Sequence, residues 1–418
     1  MLRYLISATE ALMVVSVLTG MLYAYLPQRY GKRGRLLLLT GSVAGVVSAC
    51  VLAYFKNKTN LIHTGIWNRW IFTVSAVVFL LFVLTDTFFF RKRFARATGN
   101  IAPAAASLML GLQLFYALPD VIATPYNIIL GGNSLFSTGF LYRLIGLLLG
   151  LLLAALTALA VCVVCKRCGE GVCGLLFKLA FLVITVQQMI KVLDELRASR
   201  IITSRTLFRV AVFCSNHASL FLYLVLLIAL VIPVLLWVKS FSGEEAYENP
   251  AALRKIKARR RSTRRWASVL MICFLLAVLN LTAVKAYANK PVELSAIEDC
   301  RQEGDTLVIP FSQVEDGHLH RFAYTTPQGA QVRFIIIKKP NSSAYGIGLD
   351  ACDICGETGY YERGGQVVCN RCDVVMNINT IGFKGGCNPK LIDYTIEDGT
   401  IRVPLSTLDT EENNRLFK

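Results

Sequence analysis

Long apolar runs, separated by short polar or basic stretches, fill the first two thirds of the chain. A helix of about 20 apolar residues spans the hydrocarbon core of a bilayer, which is roughly 30 Å thick. The runs therefore predict eight transmembrane helices, at residues 5–27, 36–55, 67–90, 101–122, 140–164, 174–195, 208–238 and 266–284. The seventh run is long and contains Pro233, so we expect it to be tilted or kinked. Residues 1–284 are thus predicted to be a multi-pass α-helical membrane domain.

The pattern changes after residue 284. Short apolar runs at 307–309 and 334–337 are bounded by turn residues, which is typical of β-strands. Residues 285–418 are therefore predicted to form a β-rich domain. Within it, residues 306–314 and 400–408 resemble one another and each contains a proline, which is typical of edge strands. We interpret this resemblance as a structural pairing of the two ends of the domain.

Composition and charge agree with a membrane protein. Of 418 residues, 55% are hydrophobic and 17% charged, whereas soluble domains carry about 25% charged residues. The first 284 residues hold 30 of the 44 Lys+Arg and 9 of the 27 Asp+Glu, a balance of +21, which leaves −4 for the rest. The basic residues lie in short loops between apolar runs. We therefore expect these loops to contact membrane lipid and not nucleic acid.

The loop charges predict the orientation. The loops after spans one, three, five and seven carry 19 Lys+Arg, and those after spans two, four and six carry five. Cytoplasmic loops are the more basic ones. We therefore expect these four loops to face the cytoplasm and the C-terminal β-rich domain to be extracytoplasmic.

One cysteine cluster falls in the β-rich domain. Two Cys-x-x-Cys pairs, followed by a single cysteine, comprise Cys352, Cys355, Cys369, Cys372 and Cys387. Paired Cys-x-x-Cys turns present four thiolates in the tetrahedral geometry of a metal site. The spacing leaves open a structural zinc cage, dithiol–disulfide chemistry and an iron or iron–sulfur centre. Cys387 could be a fifth ligand, a resolving thiol or a disulfide partner of Cys300.

Two further sets of residues could hold metal. Cys162, Cys165, Cys168 and Cys173 lie at the predicted cytoplasmic end of span five, with a spacing similar to part of a ferredoxin ligand string. They could bind a cluster or zinc, or be reduced cysteines without a ligand role. In an extended strand, His318 and His320 would point to the same face, where they could bind iron or copper. A solvated polar strand face is the alternative.

Ionisable residues inside spans are costly and therefore candidates for function. The candidates are Glu10, Asp86, Asp120, Lys191 and His217. Asp86 lies near the end of its span, where capping or contact with the membrane surface is the simpler interpretation.

The sequence around the C-terminal cysteines resembles a known family. Residues 350–361, 368–372, 379–382 and 385–389 are similar to the signature of bacterial iron–sulfur-containing membrane proteins that accompany Ftr-type iron permeases and periplasmic iron-binding proteins. The segments 316–322 and 332–335 fit the same pattern. The resemblance covers most of residues 300–395 and implies a role in iron uptake, with the permease and the iron-binding protein as partners.

The predicted function is therefore a membrane component of a bacterial iron-uptake system. It would handle or reduce metal through the thiolate site, with transmembrane electron transfer as one mechanism. The alternatives are a non-enzymatic metal-binding or anchoring protein with a zinc cage, and a membrane thiol–disulfide oxidoreductase. The sequence contains no hydrolase triad and no phosphate-binding loop. It also contains no Arg-Glu-x-x-Glu pattern, so it is a poor candidate for the iron channel itself.

Overall fold

The computed structural model of the chain describes residues 1–58, 64–87, 95–130, 138–198, 205–241, 247–288, 290, 293–340, 342–353, 355–371, 374–383 and 387–417. The chain divides into two compact units, Met1–Ala288 and Asn289–Lys418. We call them the membrane unit and the C-terminal unit. The prediction of a multi-pass helical protein with a β-rich C-terminal region is confirmed.

The membrane unit is built from helices. In chain order they are α1 (Leu2–Lys58), α2 (Thr64–Asp86), α3 (Ala95–Leu130), α4 (Thr138–Cys168), α5 (Glu170–Ala198), α6 (Arg205–Asn216), α7 (Ala218–Lys239), α8 (Pro250–Leu279), a π-helical turn (Asn280–Val284) and α9 (Lys285–Ala288). Within the described residues, seven helices are long and apolar enough to cross a membrane.

The first of these helices contains two of the predicted spans. The 57 residues of α1 are interrupted at Gly31, whose φ of 64° lies in the left-handed region that glycine tolerates. Tyr23 and Ser42, one on each side of this break, hydrogen-bond at 3.0 Å, whereas a straight helix would separate them by about 28 Å. The chain therefore reverses at Gly31, and α1 is a helical hairpin with two arms, residues 2–30 and 32–58.

The seventh predicted span is not one helix. It divides into α6 and α7 at His217, and α7 continues through Pro233. The tilt or kink expected at Pro233 stays a prediction. The break in the helix lies at the polar pair Asn216 and His217.

Contacts at the two ends of the helices show which loops lie together. At one end, Arg167 donates to the hydroxyls of Thr263 at 2.9 Å and Ser262 at 3.0 Å, and Gln28 donates to the carbonyl of Lys166 at 2.9 Å. Three of the four basic loops, those that follow predicted spans one, five and seven, thus lie together at this end of the helices. At the other end, Asn280 donates to Thr9 at 2.8 Å. The last helix that could span the membrane therefore ends beside the start of the first.

The C-terminal unit is built mainly from strands. They are β1 (Arg301–Glu303), β2 (Thr306–Pro310), β3 (His320–Thr325), β4 (Gln331–Lys338), β5 (Tyr345–Leu349), β6 (Tyr360–Arg363), β7 (Gln366–Cys369), β8 (Thr395–Glu397) and β9 (Thr400–Pro404). Short helices α10 (Phe311–Val314), α11 (Leu405–Leu408) and α12 (Glu411–Leu416) and a 3-10 turn (Ile378–Thr380) accompany them. The sheets have the orders β1-β2-β9-β8, β3-β4-β5 and β6-β7, with antiparallel neighbours throughout.

The predicted pairing of the two ends of the domain is confirmed. Strand β2 pairs antiparallel with β9, and Thr306 faces Pro404 while Pro310 faces Thr400. The expectation of edge strands was wrong, because β2 and β9 are the two central strands of their sheet. Each proline is the last residue of its strand and precedes a one-turn helix. The N–H that proline lacks is therefore missing only at the end of the hydrogen-bonded ladder between the strands.

Strand β4 separates two apolar layers. Successive side chains of a strand point to opposite faces. Phe334 and Ile336 pack in the core between this sheet and the four-stranded sheet, while Ile335 and Ile337 pack in a second core with the cysteines of the β6–β7 region. The candidate metal centre is thus supported by the middle strand of the domain.

Candidate metal centre

The first Cys-x-x-Cys segment forms a tight turn. The amide of Gly356 donates to the carbonyl of Cys352 at 3.0 Å, and the amide of Cys355 donates to the sulfur of Cys352 at 3.1 Å. Gly356 has a φ of +70°, which closes the turn at a position unfavourable for other residues. A backbone amide directed at a sulfur stabilises a thiolate there.

Cys387 joins this turn from a distant part of the chain. The sulfurs of Cys352, Cys355 and Cys387 all lie within 4.8 Å of one another. Within the described residues, this is the one group of three or more cysteine, histidine or acidic side chains whose ligand atoms approach so closely. Thiolates bound to one tetrahedral metal lie about 3.8 Å apart, given metal–sulfur bonds of about 2.3 Å. The three sulfurs therefore fit a common metal ion.

Cys369 lies beside this group. It is the last residue of β7 and faces Tyr360 across the β6–β7 hairpin. It is buried in the same core as Cys352 and Cys355. Cys372, another member of the predicted set, lies outside the described residues. The sequence placed Cys387 in the same set but left open whether it is a fifth ligand, a resolving thiol or a disulfide partner of Cys300. The structure brings its sulfur to those of Cys352 and Cys355.

A buried carboxylate fixes the backbone around the turn. Asp350 is 0% exposed and accepts from Arg321 at 2.8 Å, from Arg333 at 3.3 Å and from the amide of Tyr360 at 2.8 Å. Arg333 also donates to the carbonyl of Glu357 at 2.6 Å. Asp350 therefore ties the start of the cysteine turn to its end and to two strands of the neighbouring sheet.

The phenol of Tyr360 touches the cysteine group directly. Its hydroxyl donates to the carbonyl of Cys387 at 2.6 Å. Burial, the nearby Cys352 thiol and a hydrogen bond with that thiol raise the pKa of the phenol. Tyr360 therefore stays protonated and available as a hydrogen-bond donor. Arg371, which donates to the carbonyl of Cys355 at 3.2 Å, adds a positive charge near the thiols.

The two histidines are bound to carboxylates in the structure. His320 contacts Glu298 and Asp316, each at 2.8 Å, and His318 contacts Glu362 at 3.0 Å. Strand β3 begins at His320, so the expectation that both residues share one strand face was wrong. Residues 316–318 form a turn, in which the amide of His318 donates to Asp316 at 2.8 Å. The strand therefore begins only after His318. A second metal site at these histidines stays a prediction.

The contact of His318 predicts a small pH effect. A hydrogen bond and the negative charge of Glu362 raise the pKa of His318 above its ordinary value of 6.5. This contact should stabilise the fold fully below about pH 6.5, and the contribution should disappear as the pH rises through the raised value. We expect His318→Gln to lower the thermal unfolding midpoint more at pH 6 than at pH 8. An equal loss at both values would contradict this.

The cysteines of the membrane unit form a looser arrangement. Cys165 and Cys173 are 1% and 0% exposed, and the thiol of Cys173 donates to the carbonyl of Met21 at 3.6 Å. Cys162 and Cys168 are half-buried. No three of these four sulfurs, all of them described, lie within 4.8 Å of one another. The cytoplasmic-side metal cluster therefore stays a prediction.

The candidate polar residues of the spans have partners. Glu10 pairs with Lys285 at 3.2 Å, Asp120 with Lys56, and Lys191 with the hydroxyl of Tyr116 at 3.0 Å. His217 is exposed at the break between α6 and α7 and stacks on Phe213.

Asp86 differs from the other four, because its side chain is 0% exposed and bound by Arg29 and Lys178. The phenols of Tyr25 and Tyr30 each donate to it at 2.6 Å.

Comparison with known proteins bears on the segment that holds the cysteine group. No curated protein and no solved structure matches the chain. The sulfur-rich core, its tyrosine and its ion network all lie in or beside the stretch that begins at Val314. That stretch, residues 314–415, matches the family described as membrane iron-sulfur containing protein FtrD-like.

Proposed function

We propose that this protein is a membrane component of a bacterial iron-uptake system and that its C-terminal unit binds iron through thiolates. Cys352, Cys355 and Cys387 would hold the metal, with Cys369 and Cys372 as further ligands. The observation that carries the proposal is the mutual approach of three sulfurs to within 4.8 Å. The description of the matching family as iron–sulfur containing supports iron as the metal.

The residues present fit such a centre. Cys352 and Cys355 are 2% and 5% exposed, so their thiolates would be shielded from water and oxidants. An all-sulfur donor set suits a single iron, an iron–sulfur cluster or zinc. When bound, an iron centre supplies one-electron chemistry. The protein contributes the amide that donates to the Cys352 sulfur, the nearby cation of Arg371 and the apolar core that excludes solvent.

The charge distribution supports an extracytoplasmic C-terminal unit. The basic loops converge at one end of the helices, and the first and last spans meet at the other end through Asn280 and Thr9. If the basic end faces the cytoplasm, the chain leaves the membrane unit on the outer side. A periplasmic reporter such as alkaline phosphatase, fused after Lys418, should be active, and a cytoplasmic reporter should be inactive. The reverse result would contradict the orientation.

A role beside a permease follows from the same features. The sequence lacks the Arg-Glu-x-x-Glu pattern of Ftr-type iron channels, so the transport step would belong to another protein. The C-terminal unit would receive iron outside the membrane and pass it to an Ftr-type permease, with a periplasmic iron-binding protein as the donor. Electron transfer across the membrane unit stays a prediction from the sequence.

Metal analysis of the full-length protein tests the proposal. We expect protein purified in detergent without oxygen to contain iron, with sulfur-to-iron charge-transfer absorption. Cys352→Ser and Cys387→Ser should each lower the iron content at least tenfold and impair growth on limiting iron. Cys300→Ser is the matched control, because Cys300 packs against the other core of the same unit. Colourless protein with stoichiometric zinc, or metal content unchanged in the variants, would overturn the proposal.

A further inference from the structure

Tyr360 lies between two cysteines that come from different parts of the chain. Its side chain is 1% exposed, and its hydroxyl donates to the carbonyl of Cys387 at 2.6 Å. Its ring packs in the same core as Cys352 and Cys355. One side chain thus lies between the Cys-x-x-Cys turn and the later segment that supplies the third sulfur.

The position of the phenol is set by the backbone that carries it. Tyr360 faces Cys369 in the β6–β7 hairpin, and its amide donates to Asp350 at 2.8 Å. Arg321 in turn binds both Asp350 and the carbonyl of Tyr360. The strand pairing and the ion network therefore hold the ring in place before any metal binds.

We infer that Tyr360 is a positioning residue of the metal centre, which holds Cys387 against the Cys352–Cys355 turn. This inference rests on the proposed function, because it assigns a role at the same site. It also assigns Cys387 as a metal ligand that Tyr360 brings to the centre.

The phenol has a single proton, which it donates to the carbonyl of Cys387. Loss of the bond to the Cys387 carbonyl frees the segment that carries this cysteine. Outer-shell partners of metal ligands typically contribute 10- to 100-fold to metal affinity.

Cobalt binding to the full-length protein tests this inference. We would titrate Co²⁺ into wild-type protein and Tyr360→Phe in detergent without oxygen, and then alkylate the accessible thiols. For Tyr360→Phe we expect about 10- to 100-fold weaker binding and selective alkylation of Cys387 in the cobalt-bound protein, with Cys352 and Cys355 still protected. In the wild type, bound cobalt should protect Cys387.

Tyr361→Phe is the matched control. Tyr361 is the next residue of β6, so its side chain points to the opposite face, where its oxygen accepts from Arg363 at 3.3 Å. It should behave like the wild type in both measurements. The pattern of protection among Cys352, Cys355 and Cys387 in the cobalt-bound protein does not depend on the folded fraction, so it is decisive even if Tyr360→Phe lowers the yield.

The failure of this inference differs from the failure of the proposed function. If the wild type takes up no cobalt and no iron, the proposed function fails; the alkylation rate of Cys387 in metal-free protein then still tests the positioning role, and it should rise in Tyr360→Phe. If the wild type binds cobalt and Tyr360→Phe matches it in affinity and in Cys387 protection, the inference is wrong.

Discussion

Replacement of Asp350 by asparagine is expected to destabilise the C-terminal unit by about 3–5 kcal/mol and to abolish its metal binding. The carboxylate is fully buried between Arg321 and Arg333, and the side chain of Arg321 is only 1% exposed. Removal of one partner of a buried ion pair leaves an uncompensated charge in a poorly solvated place. Because Asp350 also anchors the amide of Tyr360 at 2.8 Å, the cysteine turn should lose its fixed geometry.

Asp353→Asn is the matched control. The same chemical change lies three residues away, where Asp353 is 73% exposed and pairs with Lys390 at 3.1 Å. Exposed ion pairs typically contribute less than about 1 kcal/mol. Denaturant-dependent proteolysis of the C-terminal unit in the full-length protein would measure both effects. If Asp350→Asn were as stable and bound as much metal as Asp353→Asn, the network would not support the site.

The hydrophobic pattern predicted a multi-pass helical domain but not the shapes of its helices. Residues 5–27 and 36–55 are separated by a basic stretch that contains Gly31, and each lies on one arm of α1. The reversal at Gly31 depends on a positive φ and on the contact between Tyr23 and Ser42. Such a contact depends on tertiary packing, so hydropathy gives no signal for it.

The weak internal similarity of the C-terminal domain has a structural explanation. Each copy consists of a hairpin, a central strand that ends in proline, and a one-turn helix. The amide of Phe311 donates to Gly399 at 2.9 Å, and that of Leu405 donates to Asp305 at 2.8 Å. These two bonds are equivalent under a shift of 94 residues, since 405 − 311 and 399 − 305 give the same value. The two similar segments of the C-terminal domain are thus related by an approximate twofold axis between β2 and β9.

The metal centre was only partly predictable for a related reason. Cys-x-x-Cys is a local signal, because the turn between Cys352 and Gly356 is closed by its own backbone. Cys387 approaches through a tertiary contact with Tyr360, and a spacing rule carries no information on such contacts. The run at 334–337 predicted a strand. Its lack of alternation is explained by the two cores that β4 separates, one of which contains the cysteines.

Replacement of Asp86 by asparagine should be the most damaging single change in the membrane unit. Its position near a span end suggested a residue that reaches the membrane surface, but its side chain is 0% exposed and binds Arg29 at 2.8 Å as well as Lys178. An asparagine would leave two cations facing each other without a counter-charge. We expect a loss of about 3–5 kcal/mol, as for other buried pairs that lose one partner.

The comparison that isolates this effect is Asp120→Asn. Asp120 also pairs with a lysine, Lys56, but it is 76% exposed, so water can replace the lost contact and the cost should stay below about 1 kcal/mol. Thermal unfolding in detergent, followed by a thiol-reactive dye, would report on the buried Cys165 and Cys173. These thiols lie near the Asp86 network, since Cys173 bonds to Met21, one turn before Tyr25. Equal unfolding midpoints for Asp86→Asn and Asp120→Asn would mean that the two cations find other partners. A large drop for Asp86→Asn alone would establish that this carboxylate holds α1, α2 and α5 together.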